Sequence, residues 1–194
     1  MKTFSGNILK FLNWKIIGQF PNIKKSILIF APHTSYLDAF YGKLYLNEIG
    51  INHKFISKKE LFVFPGNFIM TKFGSIPVGR TIILNITKLL KEIKELHIVI
   101  SPEGQITKAT KWKKGFYHMA NRANVPIIVG YMDFRKKEVG IKGVIHDTSN
   151  LKSVMQQINE MYKNVSGKHN ENFALENIAK NFPPKLTKKQ IKCN

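Results

Sequence analysis

Three short apolar runs, Ser26–Phe30, His97–Ile100 and Pro126–Met132, most constrain what this chain can fold into. Each is too short for a helix, is apolar throughout, and so reads as a strand buried on both faces. Between and after them lie segments with helical spacing: Leu37, Phe40, Tyr41 and Leu44; Ile82, Ile83, Ile86, Leu89, Leu90, Ile93 and Leu96; Leu151, Val154, Met155, Ile158, Met161, Tyr162 and Val165. Strands alternating with amphipathic helices predict an α/β domain with a mostly parallel, mixed sheet flanked by helices. Further strands are expected at Lys15–Phe20 and Lys54–Ser57, a hairpin over Glu138–Gly143, and a helix over Lys113–Arg122.

At 194 residues the chain suits one domain, and 43% hydrophobic residues exclude a disordered polymer. The expected division is one folded domain over 1–166 and a polar, lysine-rich tail over 167–194, with a short helix at Phe173, Leu175, Ile178 and Phe182. Residues 4–12 space Phe4, Ile8, Phe11 and Leu12 as an amphipathic helix. It either packs on the domain or, with Trp14, inserts shallowly at a membrane interface. The aromatic stretch from Phe62 to Phe73, broken at Pro65-Gly66, is either core or the lining of a groove for an acyl chain.

No apolar run reaches the ~18–20 residues of a membrane span. Lys10 and Lys15 interrupt any signal-peptide pattern, and the single cysteine, Cys193, has no partner for an internal disulfide. The expected location is cytoplasmic. The net charge of +19 calls for an anionic counterpart, whether nucleic acid, an anionic lipid surface or an acidic protein. The lysines are dispersed over both halves, as AT-rich coding alone would also leave them.

Chemistry concentrates in loops at element ends. Ala31-Pro32-His33-Thr34-Ser35-Tyr36-Leu37-Asp38 follows the first buried strand and opens a helix. With Ser35 as N-cap, Asp38 lies in the first turn and His33 in the loop before it, so the carboxylate can orient one ring nitrogen and leave the other free as a base. The bland reading is a capping box with Asp38 in place of Glu. Gly74-Ser75-Ile76-Pro77-Val78-Gly79-Arg80 reads as a loop, and Ser101-Pro102-Glu103-Gly104 as a type I turn. Taken singly, Arg80 is a solvated arginine and Glu103 a turn residue pointing at water. No nucleophile elbow, phosphate loop or zinc spacing occurs.

In order and with their gaps, H-x4-D, G-x-I-P-V-x-R, P-E-G and Val125-Pro126-Ile127-Ile128 resemble the four motifs of the glycerolipid acyltransferases, the lysophosphatidic acid acyltransferases in particular. The resemblance covers about residues 26–145, and Lys58-Lys59-Glu60-Leu61-Phe62 adds to it. It implies an O-acyltransferase moving a fatty acyl group from acyl-CoA or acyl carrier protein to a lysophospholipid hydroxyl, most readily that of 1-acyl-glycerol-3-phosphate. His33 would be the base and Asp38 its orienter. Arg80 with Lys58 would grip the acceptor's phosphate, Glu103 and Gly104 would shape the acceptor site or brace Arg80, and Pro126 would help build the acyl-donor side. No metal or cofactor is required. Gly79 stands where the family commonly has Asp, and Gln105-Ile106 where it has Thr-Arg, unless Lys108 or Lys111 supplies that charge. These departures leave another lysolipid or aminolipid acceptor open, as well as a catalytically silent lipid-binding relative.

The implied partner is an anionic membrane, bound peripherally at the inner face of the cell membrane. No nucleic acid is expected; a nucleic-acid-binding domain would need Lys111-Trp112-Lys113-Lys114-Gly115-Phe116-Tyr117 as a charged, stacking surface.

Overall fold

The computed structural model describes residues 2–182, with the side chains of residues 2 and 3 excepted. Seven strands form one sheet: β1 (Lys15–Ile17), β2 (Lys25–Ala31), β3 (His53–Ser57), β4 (Ser75–Pro77), β5 (Leu96–Ile100), β6 (Ile127–Asp133) and β7 (Glu138–Ile145). Their order is β1-β7-β6-β2-β5-β3-β4. All neighbours are parallel except β6 and β7, which form the expected antiparallel hairpin, with a register shift at Val129/Gly130.

The three apolar runs become the three central strands because they alone can be covered twice. Along β2, Ile27, Ile29 and Ala31 face one core, and Leu28 and Phe30 face the other. The first core packs under α4 (Ile82–Glu92), α5 (Gly115–Ala123) and α6 (Leu151–Tyr162); the second packs under α1 (Lys2–Phe11) and α2 (Leu37–Ile49). Helices on both faces are what parallel crossovers require. A further helix, α3 (Gly66–Phe73), lies between β3 and β4, and α7 (Ile178–Asn181) ends the described chain.

Several expectations shift. β1 is only three residues long and exposed, because the chain after Ile17 leaves the sheet. The Gly74–Arg80 loop contains β4, paired to β3. α4 stops at Glu92, and Leu96 belongs to β5 rather than to the helix. The stretch from Phe62 to Phe73 is mostly outside the core: neither its 3-10 turn (Lys59–Phe62) nor α3 has a buried residue, and only Phe73 packs against the second core. Trp14 is buried and stacks on Tyr41, so it is unavailable to a membrane, whereas Phe4 and Phe11 point outward. The stacking surface needed for nucleic acid does not exist, since Trp112, Phe116 and Tyr117 are all in the core.

The expected tail also begins too early. Within residues 167–182, Phe173, Leu175, Ile178 and Phe182 pack on the first core. Glu176 is buried, accepts the Trp112 backbone N–H, and pairs with Lys114 Nζ at 2.6 Å. Residues 183–194, including Cys193, lie outside the described residues. Removing Glu176 strands a largely buried ammonium and an amide. Glu176→Ala is therefore expected to cost about 3 kcal/mol in denaturant unfolding, and truncation after residue 166 more. An unchanged midpoint in both would mean that the segment is dispensable.

Candidate active site

β2 is the middle strand of the sheet with a parallel neighbour on each side, and the crevice beyond the carboxyl ends of such strands is where α/β folds bind ligands. The loop from Pro32 to Tyr36 leaves β2 at that edge and hands over to α2. Its shape comes from Asp38 in the first turn of α2. One oxygen, Oδ2, accepts the backbone N–H of Thr34 at 2.7 Å and of Ser35 at 2.8 Å. The Ser35 bond is the reciprocal half of a capping box, run by Asp instead of Glu. The same oxygen faces His33 Nδ1 at 3.3 Å, a close ionic contact without full hydrogen-bond alignment. The capping and catalytic readings of Asp38 therefore describe one carboxylate.

Asp38 is 2% exposed and His33 21%. His33 Nε2 forms no hydrogen bond among the described residues, so the ring has the Asp38 carboxylate beside one nitrogen and the other nitrogen unengaged. Two other histidines show the contrast. Burial pushes His53 and His97 down to about 4, and His97 Nδ1 is taken by Ser26 Oγ at 2.8 Å. Both stand near the starts of their strands, away from the His33 edge.

Glu103 comes from the turn after β5, the neighbour of β2. Gly104 closes that turn, donating to Ser101 O with φ +70°, a conformation that favours glycine. Lys113 N–H on Pro102 O pins the turn from outside. The carboxylate does not point at water, and it forms no ion pair with Arg80. It is buried and accepts the His33 backbone N–H through Oε1 at 3.0 Å, while Oε2 is buried without a partner. Burial first, and the nearby Asp38 charge second, push its pKa up to about 8.

Lys58 follows β3 and Arg80 follows β4, so both stand on the His33 edge. Both are exposed, and neither has an ion-pair partner among the described residues. They lie two and three strand spacings from β2, ~10 and ~14 Å along the edge. A Cβ on Gly79 would meet nothing within 4 Å, so an aspartate there is not sterically excluded. Gln105 turns onto its own loop, its Nε2 donating to Thr107 O and Lys108 O. Pro126 is at the wrong edge. Its carbonyl accepts Ile27 N–H at the start of β2, about five strand residues or ~17 Å from the His33 loop. It cannot build a donor site beside His33.

Two clefts lie along this edge, and only the smaller one borders the loop. One, of about 510 Å³, lies at the ends of β3 and β4 and is mainly apolar, lined by Phe62, Val63, Pro77, Val78 and the stem of Lys59. The other, of about 290 Å³, lies between Thr34–Tyr36, Ile106-Thr107 and the chain at His169 and Asn172. This last segment had no motif to announce it. It presses on the catalytic loop: His169 N–H donates to Thr34 Oγ1 at 3.2 Å, and a Cβ on Gly167 would stand 2.7 Å from that oxygen. The one sequence signal was the apolar spacing at Phe173 and Leu175, which tethers what precedes it.

An acyltransferase family model matches residues 13–132. Among solved structures, the fold is similar to that of the 1-acyl-sn-glycerophosphate (LPA) acyltransferase PlsC from Thermotoga maritima. The TM-score is 0.58 and the identity 18%, over 84% of this chain and 75% of that one. The comparison with curated proteins finds no match. The matched stretch runs from just before β1 into β6 and takes in both the His33 loop and the Glu103 turn, and on that match the chain belongs to the acyltransferase family.

Proposed function

We propose that this acyltransferase moves a fatty acyl group from an acyl thioester, acyl-CoA or acyl carrier protein, to the hydroxyl of a lysophospholipid, with 1-acyl-glycerol-3-phosphate the best-fitting acceptor. The observation that carries this reading is His33, whose Nδ1 stands 3.3 Å from a carboxylate oxygen of buried Asp38 while its Nε2 is unbonded among the described residues at the ligand-binding edge. In the proposed reaction, Nε2 takes the hydroxyl proton as the oxygen attacks the thioester carbonyl. The C–S bond then breaks, and the leaving sulfur recovers the proton from the imidazolium. Asp38 stabilises that cation, and no acyl-enzyme is needed. Arg80 and Lys58 supply cations for the acceptor phosphate across a distance that long side chains and a lipid headgroup bridge together. The apolar cleft beside them suits an acyl chain.

A lipid acceptor requires contact with its bilayer. Phe64 is 85% exposed and Phe68 71%, and with Val63, Ile69 and Leu61 they form an apolar ridge beside the cleft, flanked by Lys58, Lys59 and Lys72. Such a patch exceeds ordinary surface scatter. It suits shallow insertion into an anionic inner leaflet, with exposed Phe4 and Phe11 on α1 adding to the attachment. Among the described residues no helix is long and apolar enough to cross a membrane. A second reading, a different lysolipid or aminolipid acceptor, is favoured by Gly79 and by Gln105, which place no charge of their own at the acceptor loops.

Thiol release with an acyl thioester and lysophosphatidic acid is expected to fall about 10²–10⁴-fold in His33→Ala. Full turnover in that variant would end the proposal; activity on another lysolipid alone would select the second reading. Phe64→Asp with Phe68→Asp is expected to abolish sedimentation with vesicles containing phosphatidylglycerol, and unchanged sedimentation would remove the ridge from the account. Glu103 keeps its proton to about pH 8 when folded, against 4.5 ordinarily, so folding takes up a proton between those values. Its contribution to stability therefore falls as pH rises from about 4.5 to about 8. Glu103→Gln is expected to flatten the melting temperature against pH over that window, and identical slopes would contradict the assignment.

A further inference from the structure

The smaller cleft has a chemistry that the larger lacks. Its walls carry hydroxyls from Thr34, Ser35, Tyr36 and Thr107, the Asn172 amide and the His169 imidazole, with Ile106 the apolar member. Among the described residues, no lysine or arginine lines it. The one group able to become cationic, His169, has Glu171 Oε1 3.7 Å from its Nδ1, so the local charge is offset. An anionic headgroup finds no cation among these lining residues; Lys58 and Arg80 stand farther out along the edge, past β5, at the ends of β3 and β4. A neutral chain of hydrogen-bonding groups fits well. At about 290 Å³ the cleft is at the small end for a ligand site, sufficient for a linear segment and too small to enclose a nucleotide as well.

We propose that this cleft, between the catalytic loop and the chain at His169 and Asn172, holds the amide- and hydroxyl-bearing pantetheine arm of the thioester donor. The assignment rests on the thioester-dependent transfer proposed above. That arm is the only long, uncharged, polar segment among the reactants, and it ends in the sulfur that must reach His33. Thr34 and Ser35 line the cleft and immediately follow His33, so an arm lying in it delivers its thioester to the imidazole. The acyl chain beyond the sulfur then passes toward the apolar cleft on the β3–β4 side.

His169 and Asn172 lie outside the matched family stretch of 13–132, so donor recognition would be built partly from this chain's own C-terminal segment. That segment is fixed independently of any ligand. His169 N–H bonds Thr34, Gly167 N–H donates to Asn170 Oδ1, and the chain continues to buried Glu176. The Asn172 side chain makes no hydrogen bond among the described residues, which leaves its amide for a ligand.

Calorimetry on the full chain with non-transferable thioether analogues reads donor binding apart from turnover, and steady-state kinetics reads the acceptor. The probes are palmitoyl-pantetheine, palmitoyl-CoA and palmitoyl-acyl carrier protein, each with the thioester replaced. Asn172→Ala and His169→Ala are expected to weaken palmitoyl-pantetheine binding about five- to tenfold each, as losing one hydrogen bond does. The full donor that the wild type binds, CoA or carrier protein, identifies the source of the arm and should weaken by the same factor. The KM for the lysolipid acceptor should stay within about twofold. A raised acceptor KM with unmoved donor binding would make the cleft a headgroup site and overturn the proposal. So would weakening of the CoA analogue alone, which would place the nucleotide there. His33→Ala should bind the analogues like the wild type, so failure of the catalytic reading and failure of this one are told apart.

Discussion

One carboxylate oxygen sets the geometry on which the rest depends. Asp38 Oδ2 gathers two backbone amides and faces an imidazole nitrogen, which fixes the path of the chain from β2 into α2 and the orientation of His33 together. Each contact is modest alone. Their common acceptor makes them cooperative, because the loop cannot move without exposing a buried carboxylate that has lost its donors. Glu103 grips the same loop from β5 through the His33 amide, and the chain at Gly167 and His169 closes on Thr34. The His33 loop is therefore held from three directions, by α2, by the neighbouring strand and by the C-terminal segment.

The sheet explains why these supports converge. Parallel strands deliver all their exit loops to one edge, so residues far apart in sequence meet there without any local signal. β2 and β5 are adjacent and bring His33 and Glu103 into contact; β3 and β4 extend the edge outward and carry Lys58 and Arg80. The result is a polarity gradient along the edge. Neutral hydrogen-bonding groups lie beside the His33 loop, and cations and an apolar cleft lie farther out, at the ends of β3 and β4.

Much of this was legible in the residues. The central strands could be read because a run such as Ile27–Phe30 has no polar face to present to water, and the helices because their apolar spacing has one period. The His33–Asp38 pairing could be read because a five-residue step brings two side chains together only across a loop-to-helix junction. β4 was missed since Ser75-Ile76-Pro77 is too short for alternation to show. Exposure was less legible: the Leu61–Phe73 stretch has the composition of a core, and hydropathy does not say whether anything covers it. Pro126 was misplaced for an avoidable reason, since a residue entering a parallel strand lies at the edge opposite to those leaving its neighbours. The chain from 167 to 176 looked like a tail because its grip on the domain is a buried carboxylate and a glycine contact, neither of which has a period.

The account turns on which nitrogen of His33 carries the proton. Nitrogen-15 NMR of the free enzyme at a pH where the ring is neutral reads this directly. The Asp38 contact predicts a proton on Nδ1, with Nε2 unprotonated and ready to accept. A neutral ring protonated at Nε2 would leave no base facing the substrate and would contradict the account at its centre.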